Sequence, residues 1–352
     1  ATVRLAECIG GIVGCQDIRR GVDAGYRCEV RLFLISAWRA FIGDPDDQVE
    51  RWFLEGAPLG IEALPESRGI FPLYSDLEAT TNPSLLWSEA ERDGKASRAE
   101  RDSSSVKEME DLVAKGWIKK CATKSQAKKY VRGKIIVSEL IMISKMKAKK
   151  QADGTVIKKM KKRLLLNLKK SGVASASVKK ERPELPRILD VIFSNLELMR
   201  KKRRVPGTWL RHLILDFSHA FFNFPTKDSE LKYFTTRLRK SIYIWLRAVQ
   251  GSRGAPLICG RALASAMRLA ASTTDPDVLN ASTYVDDPIM SSMGAESEQE
   301  LAIGQLVGSL LAIGYSLAFS KAQDSNVEST ITWIAGRLTI LHQDEAIKVE
   351  VK

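Results

Sequence analysis

The chain has little of what staples a small secreted protein or ties a domain to a membrane. Its 352 residues include five cysteines, Cys8, Cys15, Cys28, Cys121 and Cys259, an odd and scattered set without a CxxC pair. Such a set excludes a disulfide framework, and with no histidine near the first three it argues against structural zinc. Reduced thiols in an intracellular setting are expected, cytoplasm and nucleus being indistinguishable. No apolar run approaches the roughly 20 residues needed to cross a bilayer, the longest candidate lying at 32–38. Arg4 and Glu7 interrupt the only apolar start, so no signal peptide is expected. The chain opens on Ala1 and not Met, so it is expected to be a piece of a larger polyprotein.

What is present is positive charge. Lys and Arg number 55 against 42 Asp and Glu, a net charge of +13 that calls for a polyanionic partner, nucleic acid before an anionic membrane surface. Hydrophobic residues make up 44% of the chain, enough for a globular core and against disorder. The excess charge is concentrated at 118–180, where about twenty Lys and Arg stand against Glu139 and Asp153. Interleaved there are the β-type runs 133–137, 140–144 and 163–168, with a long basic hairpin tip at 145–162 around Asp153-Gly154. This pattern is better explained by phosphate contact than by a merely solvated face.

The rest of the chain divides around that block. Residues 1–75 read as an N-terminal extension of unknown role and 76–105 as a polar linker. A helix is expected at 106–115, closed by Gly116. An amphipathic helix follows at 186–200, then a buried strand at 209–217 and a strand pair at 232–236 and 242–246. A helix at 257–272 opens after a glycine-rich loop, with Pro256 in its first turn. Ser297 and Glu300 have capping-box spacing, and Ile303, Leu306, Val307, Leu310 and Leu311 share a core-facing stripe.

Within this frame two acidic sites stand out. Asp216 ends the apolar strand run Leu213-Ile214-Leu215, where a buried acid calls for a cationic partner. Asp286 and Asp287 are adjacent after Thr283-Tyr284-Val285 and before Pro288, a strand running into a tight turn. Paired acids repel, which pushes one toward protonation unless a hard divalent cation binds them.

The ordered set of motifs resembles the reverse transcriptases of retroelements over about 108–340. Leu215-Asp216-Phe217-Ser218-His219-Ala220-Phe221-Phe222-Asn223-Phe224-Pro225 resembles the first palm motif of that family. Val249-Gln250-Gly251-Ser252-Arg253-Gly254-Ala255-Pro256 resembles the second and Tyr284-Val285-Asp286-Asp287 the third. Residues 314–321 are similar to the fourth motif, and Trp333-Ile334-Ala335-Gly336 to the primer-gripping hairpin.

The resemblance implies an α+β right-hand polymerase fold, with fingers at 106–204 and a palm at 205–336 built on a ferredoxin-like sheet with packed helices. Residues 337–352 would be a terminal hairpin at the start of a largely absent thumb. It implies an RNA-directed DNA polymerase of a mobile element, acting on dNTPs and a primed RNA or DNA template, with no membrane partner. Asp216, Asp286 and Asp287 would hold two Mg²⁺ ions, Mn²⁺ being a possible substitute, with Lys321 beside the leaving group. Arg163, Phe217, Phe221, Gln250, Gly251 and Arg253 would line the nucleotide. Lys145, Lys147, Lys158, Lys159, Trp333 and Gly336 would meet the nucleic acid. Phe221 stands where the family selects the sugar, and its ring would collide with a ribose 2′-hydroxyl.

The sequence departs from the family pattern at Asn167, His219 and Pro288. Two rival readings keep the fold: a decayed or domesticated copy that only binds nucleic acid, and an RNA-directed RNA polymerase. The intact acids oppose the first, and Phe221 with Tyr284-Val285 opposes the second.

Overall fold

The computed structural model describes residues 1–15, 17, 30–74, 83–87, 98–150, 156–202, 205–341 and 346–351, with the side chains of 85, 87, 147–150, 156–159, 202 and 351 excepted. In chain order, helices α1 (Thr2–Ile12), α2 (Leu32–Ile42) and α3 (Gln48–Glu55) come first. Helix α4 (Ser103–Ala114) begins three residues before its expected start. There the Asp102 carboxylate caps it, accepting from Ser104 N at 2.9 Å. Gly116 (φ 68°) then turns the chain into strand β1 (Ile118–Cys121). Thr123 caps the short helix α5 (Lys124–Tyr130).

The basic hairpin has longer strands than its sequence pattern suggested. Strands β2 (Val137–Lys150) and β3 (Val156–Asn167) pair antiparallel from Glu139↔Asn167 to Lys150↔Val156, so lysines read as hairpin tip lie on paired strand. Asp153-Gly154 lies outside the described residues. Lys162 donates to Asp102 (2.7 Å) and to Ser104 (3.0 Å), anchoring the hairpin to the start of α4.

Beyond it come helix α6 (Ile188–Lys202), strands β4 (Trp209–Ile214), β5 (Thr235–Leu238) and β6 (Ser241–Trp245), and helix α7 (Ala255–Ala271). Strands β7 (Leu279–Tyr284) and β8 (Asp287–Gly294) form a hairpin that leads into helix α8 (Glu296–Ile313). The cap of α8 sits two residues ahead of the expected one, with Glu298 accepting from Ala295 N at 3.0 Å. Strands β9 (Gln323–Asp324), β10 (Thr330–Trp333), β11 (Gly336–Leu341) and β12 (Ala346–Val351) close the chain.

Among the described residues three sheets form. The first has the order β1-β6-β5-β2-β3, with the one parallel step between β2 and β5. The second, β7-β8-β4-β9, is antiparallel, and the third is β10-β11-β12. The architecture is α+β, as expected.

Helix α7 is apolar on nearly all sides and runs through the main core, against α8, β7 and α2. The N-terminal residues are integral to that core: Leu34, Trp38, Trp52, Phe53, Leu59 and Ile61 belong to it. Two buried polar devices attach them. Arg261 of α7, 0% exposed, donates to Asp46 (2.5 and 2.9 Å), to Glu181 (3.0 Å) and to the Glu66 carbonyl (2.7 Å), and stacks over Trp52. Glu230, equally buried, accepts from the main-chain N–H groups of Leu59, Ile61, Glu62 and Ala63 at 2.6–3.2 Å. Burial raises its pKa and the four donors oppose that rise.

Candidate active site

Strand β4 ends at Ile214, and the next residues are stitched to the β7–β8 turn. Leu215 N donates to the Pro288 carbonyl (3.1 Å) and Phe217 N to the Asp286 carbonyl (3.0 Å), so Asp216 lies alongside Asp286. The same segment is bonded on its other flank: Ala318 N donates to the Asp216 carbonyl (2.8 Å) and Ser218 N to the Ser316 carbonyl (2.8 Å). Residues 315–319 form no regular strand there, only an isolated bridge of Leu317 to Phe217, followed by a 3₁₀ turn, Phe319–Lys321. That turn delivers Lys321, whose Nζ donates to the Asp216 carboxylate. Three segments distant in sequence thus converge on one acid.

The hairpin closes with Tyr284 paired to Asp287, leaving Val285 and Asp286 as a two-residue turn. Val285 has φ 56°, a conformation that costs a β-branched residue about 1–2 kcal/mol. Such strain persists only where the surroundings over-determine it. Here it holds Asp286 at the tip. Pro288 fits because it faces Thr283 next to the turn-closing pair, a register position that needs no N–H toward β7.

The Asp286 carboxyl is half-buried, and burial raises its pKa. The negative charge of Asp216 adds to the rise, while Arg163 and Lys321 offset part of it. Beneath it, the buried Cys259 thiol is raised well above its ordinary value by burial and by Asp286. Among the described residues no three His, Cys, Asp or Glu side chains gather as a ready metal group. The acids that meet are Asp216 and Asp286; Asp287 is exposed at the start of β8. Two carboxylates close enough to feel each other's charge still suit Mg²⁺, which takes one or two protein carboxylates and keeps several waters.

The remaining sequence-derived candidates separate into groups. Arg163 is exposed on β3 opposite Ile143, and its charge reaches Asp286. The two adjacent phenylalanines are both half-buried and packed against the main core, with Phe222 stacked on Trp117 (4.5 Å between ring centroids) and Trp245 (6.1 Å). Phe221 is half-buried on the same 3₁₀ turn, Ala220–Asn223. Phe217 is 1% exposed and edge-on to Tyr315, so its ring is core and its N–H supplies the link to Asp286.

In the glycine-rich loop, Gln250 is half-buried, Gly251 has φ 98° and Arg253 donates to the Ser177 carbonyl (3.3 Å). A Cβ on Gly254 would lie 2.3 Å from the Leu59 carbonyl oxygen, so the loop needs glycine where the N-terminal segment crosses it. Lys145 is exposed on the basic hairpin. Lys147 pairs in register with Lys159, and Lys158 with Ala148, their side chains lying outside the described set. Trp333, 2% exposed, is a core residue whose indole donates to the Asp287 carbonyl (2.9 Å). Gly336 pairs with it across a turn in which Ile334 and Ala335 both have positive φ.

Solved structures this chain resembles include foamy viral protease-reverse transcriptases. One, in complex with double-stranded DNA, is 16% identical at a TM-score of 0.47, covering 77% of this chain and 38% of that one. Another double-stranded DNA complex is 13% identical at 0.46, covering 96% and 56%. A complex with an RNA/DNA hybrid is 15% identical at 0.44, covering 69% and 26%. The chain therefore spans between about a quarter and somewhat over half of those chains, and a likeness of this size establishes no function. No family model and no curated protein sequence matches the chain.

Several residues that shape the site carry no motif. Trp117, Glu230 and the 57–63 segment act through contacts with residues far away in sequence, which no local spacing announces. A charged Glu230 beside Leu231 and Tyr233 was the one available hint.

Proposed function

We propose that the chain is an RNA-directed DNA polymerase of a mobile element, adding deoxynucleotides to a primer 3′-hydroxyl on a primed RNA or DNA template. The observation that carries this reading is the joining of Asp216 and Asp286 by the Phe217 N–Asp286 O bond, with Lys321 on one acid and the charge of Arg163 on the other. Two Mg²⁺ ions, or Mn²⁺, held by Asp216 and Asp286 with Asp287 beside them, would lower the pKa of the primer hydroxyl and neutralise the leaving pyrophosphate.

The side chains of this chain supply the rest. Arg163 binds the triphosphate as a planar fork, a geometry that a lysine does not reproduce. Lys321, released from Asp216, supports the charge that develops on the pyrophosphate. Phe221 excludes a 2′-hydroxyl, and Gly251 lets the loop main chain approach the base pair closely. Lys145 and the hairpin around it hold template phosphates.

A second reading, retained nucleic-acid binding without chemistry, draws on Lys321 occupying Asp216 and on a third acid not gathered with the other two. Primer extension on oligo(dT)-primed poly(rA) with Mg²⁺ separates the two, comparing dTTP with UTP and wild type with Asp286→Asn. Metal-dependent dTTP incorporation, lost by at least about 100-fold in the variant while template binding persists, supports the polymerase. Salt-sensitive binding with no incorporation supports the second reading.

A further inference from the structure

Trp117 occupies a position that no motif assigns. It follows Gly116 at the end of α4, its N–H donates to the Leu112 carbonyl (3.0 Å), and its carbonyl accepts from Leu246 N (2.9 Å). Its backbone is therefore fixed to both α4 and the end of β6. Its ring meets two residues of one short turn: Phe222, stacked at 4.5 Å and 9°, and His219, at 4.9 Å and 60°. Trp245 backs Phe222 at 6.1 Å, and Lys115 lies over the Trp117 ring at 4.6 Å.

The turn that Trp117 grips is strained. His219 is left-handed, φ 54° and ψ 34°, a conformation unfavourable for a residue with a Cβ. Its carbonyl accepts from Phe222 N (2.8 Å), closing a loop with Phe221 inside it. Strain of this kind is retained where packing admits no alternative. At this turn the Trp117 ring is the group that packs on both His219 and Phe222, with Trp245 and helix α7 as further neighbours of the turn.

We propose that Trp117 is a positioning residue for sugar selectivity, fixing the backbone of Phe221 by holding His219 and Phe222. This rests on the reading of Phe221 as the group that meets the sugar of a nucleoside triphosphate. A ring that excludes one oxygen atom must hold its place to a fraction of an ångström. A side chain on a strained 3₁₀ turn does so only if the residues beside it cannot move.

The test is steady-state primer extension with dTTP and UTP for wild type, Trp117→Ala, Trp117→Phe, Phe221→Ala and the Trp117→Ala/Phe221→Ala double variant, with primer–template affinity measured alongside. Trp117→Ala is expected to lower the dTTP-over-UTP ratio of kcat/KM by about tenfold, mainly through a lower KM for UTP, with primer–template affinity unchanged. Trp117→Phe, which keeps a flat ring, should retain most of the selectivity and keeps the proposal testable if Trp117→Ala does not fold. In the Phe221→Ala background Trp117→Ala should add nothing, because both act through one ring.

An equal fall in dTTP and UTP efficiency would show a merely structural role and overturn the proposal. An effect that persists without Phe221 would overturn it too. Wild type that extends with neither nucleotide would remove the polymerase reading itself, an outcome distinct from active enzyme with unaltered selectivity.

Discussion

The indole Nε1 of Trp333 donates to the main-chain carbonyl of Asp287 at 2.9 Å, tying the third sheet to the hairpin that carries the paired acids. Trp333→Phe keeps a ring among Val191, Ile214, Ile289 and Ile331 and removes only this bond. A cost of about 1 kcal/mol is expected, with a severalfold fall in extension rate and no change in template affinity. Urea unfolding and single-turnover kinetics check the two parts.

Asp286→Asn is expected to stabilise the fold in metal-free buffer at neutral pH. The raised pKa of Asp286 means that the folded state holds its proton to higher pH than the unfolded chain. Stability from this group is complete below the unfolded value and is lost as pH rises through the folded one. The variant should therefore melt at a higher temperature than wild type at pH 7, with the difference vanishing toward pH 3. Added Mg²⁺ should raise the wild-type midpoint and leave the variant unmoved, which thermal-shift measurements read directly.

His212 works in the opposite sense. It is fully buried, paired with Asn195 at 2.8 Å, and burial pushes its pKa down to about 4. Its contribution is present above the unfolded value of about 6.5 and is lost as pH falls toward the folded one, at up to about 1.4 kcal/mol per pH unit. Urea midpoints between pH 7 and pH 4.5 should fall more steeply for wild type than for His212→Gln.

Arg261→Met leaves Asp46 and Glu181 buried without their partner. A loss of about 3–5 kcal/mol is expected, seen as a lower denaturant midpoint at unchanged slope. The same variant should expose 46–66 to limited proteolysis, because Arg261 binds that segment at Asp46 and at Glu66.

Lys145→Ala removes one exposed cation of the basic hairpin. Binding to primed template should weaken for every sequence alike, with the slope of log affinity against log salt reduced by about one. Fluorescence anisotropy at a series of salt concentrations measures it.

The candidate site residues were legible because each sits in a local pattern: an apolar strand run before Asp216, a strand into a turn at Asp286, a glycine loop ahead of Pro256, a block of lysines. Periodicity of two or of 3.6 and turn chemistry act over a few residues, and these elements appear where those forces place them. What such patterns do not carry is which face of an element finds which partner. Phe221 and Phe222 are indistinguishable in sequence, yet Phe222 is the one stacked on aromatic rings, because Trp117 and Trp245 lie on its side. Trp333, read as a nucleic-acid contact, is buried and acts on the acid turn through one hydrogen bond.

Composition and order in this chain thus determined its α+β class, its basic hairpin and the acids that define the site. Tertiary structure decided the rest. It drew residues 30–74 into the main core through Arg261 and Glu230, set Asp216 against Asp286, and placed Lys321 on Asp216. Those outcomes depend on burial and on hydrogen bonds between residues far apart in the chain, where free energy is settled by packing the whole chain at once and not by any short stretch of it.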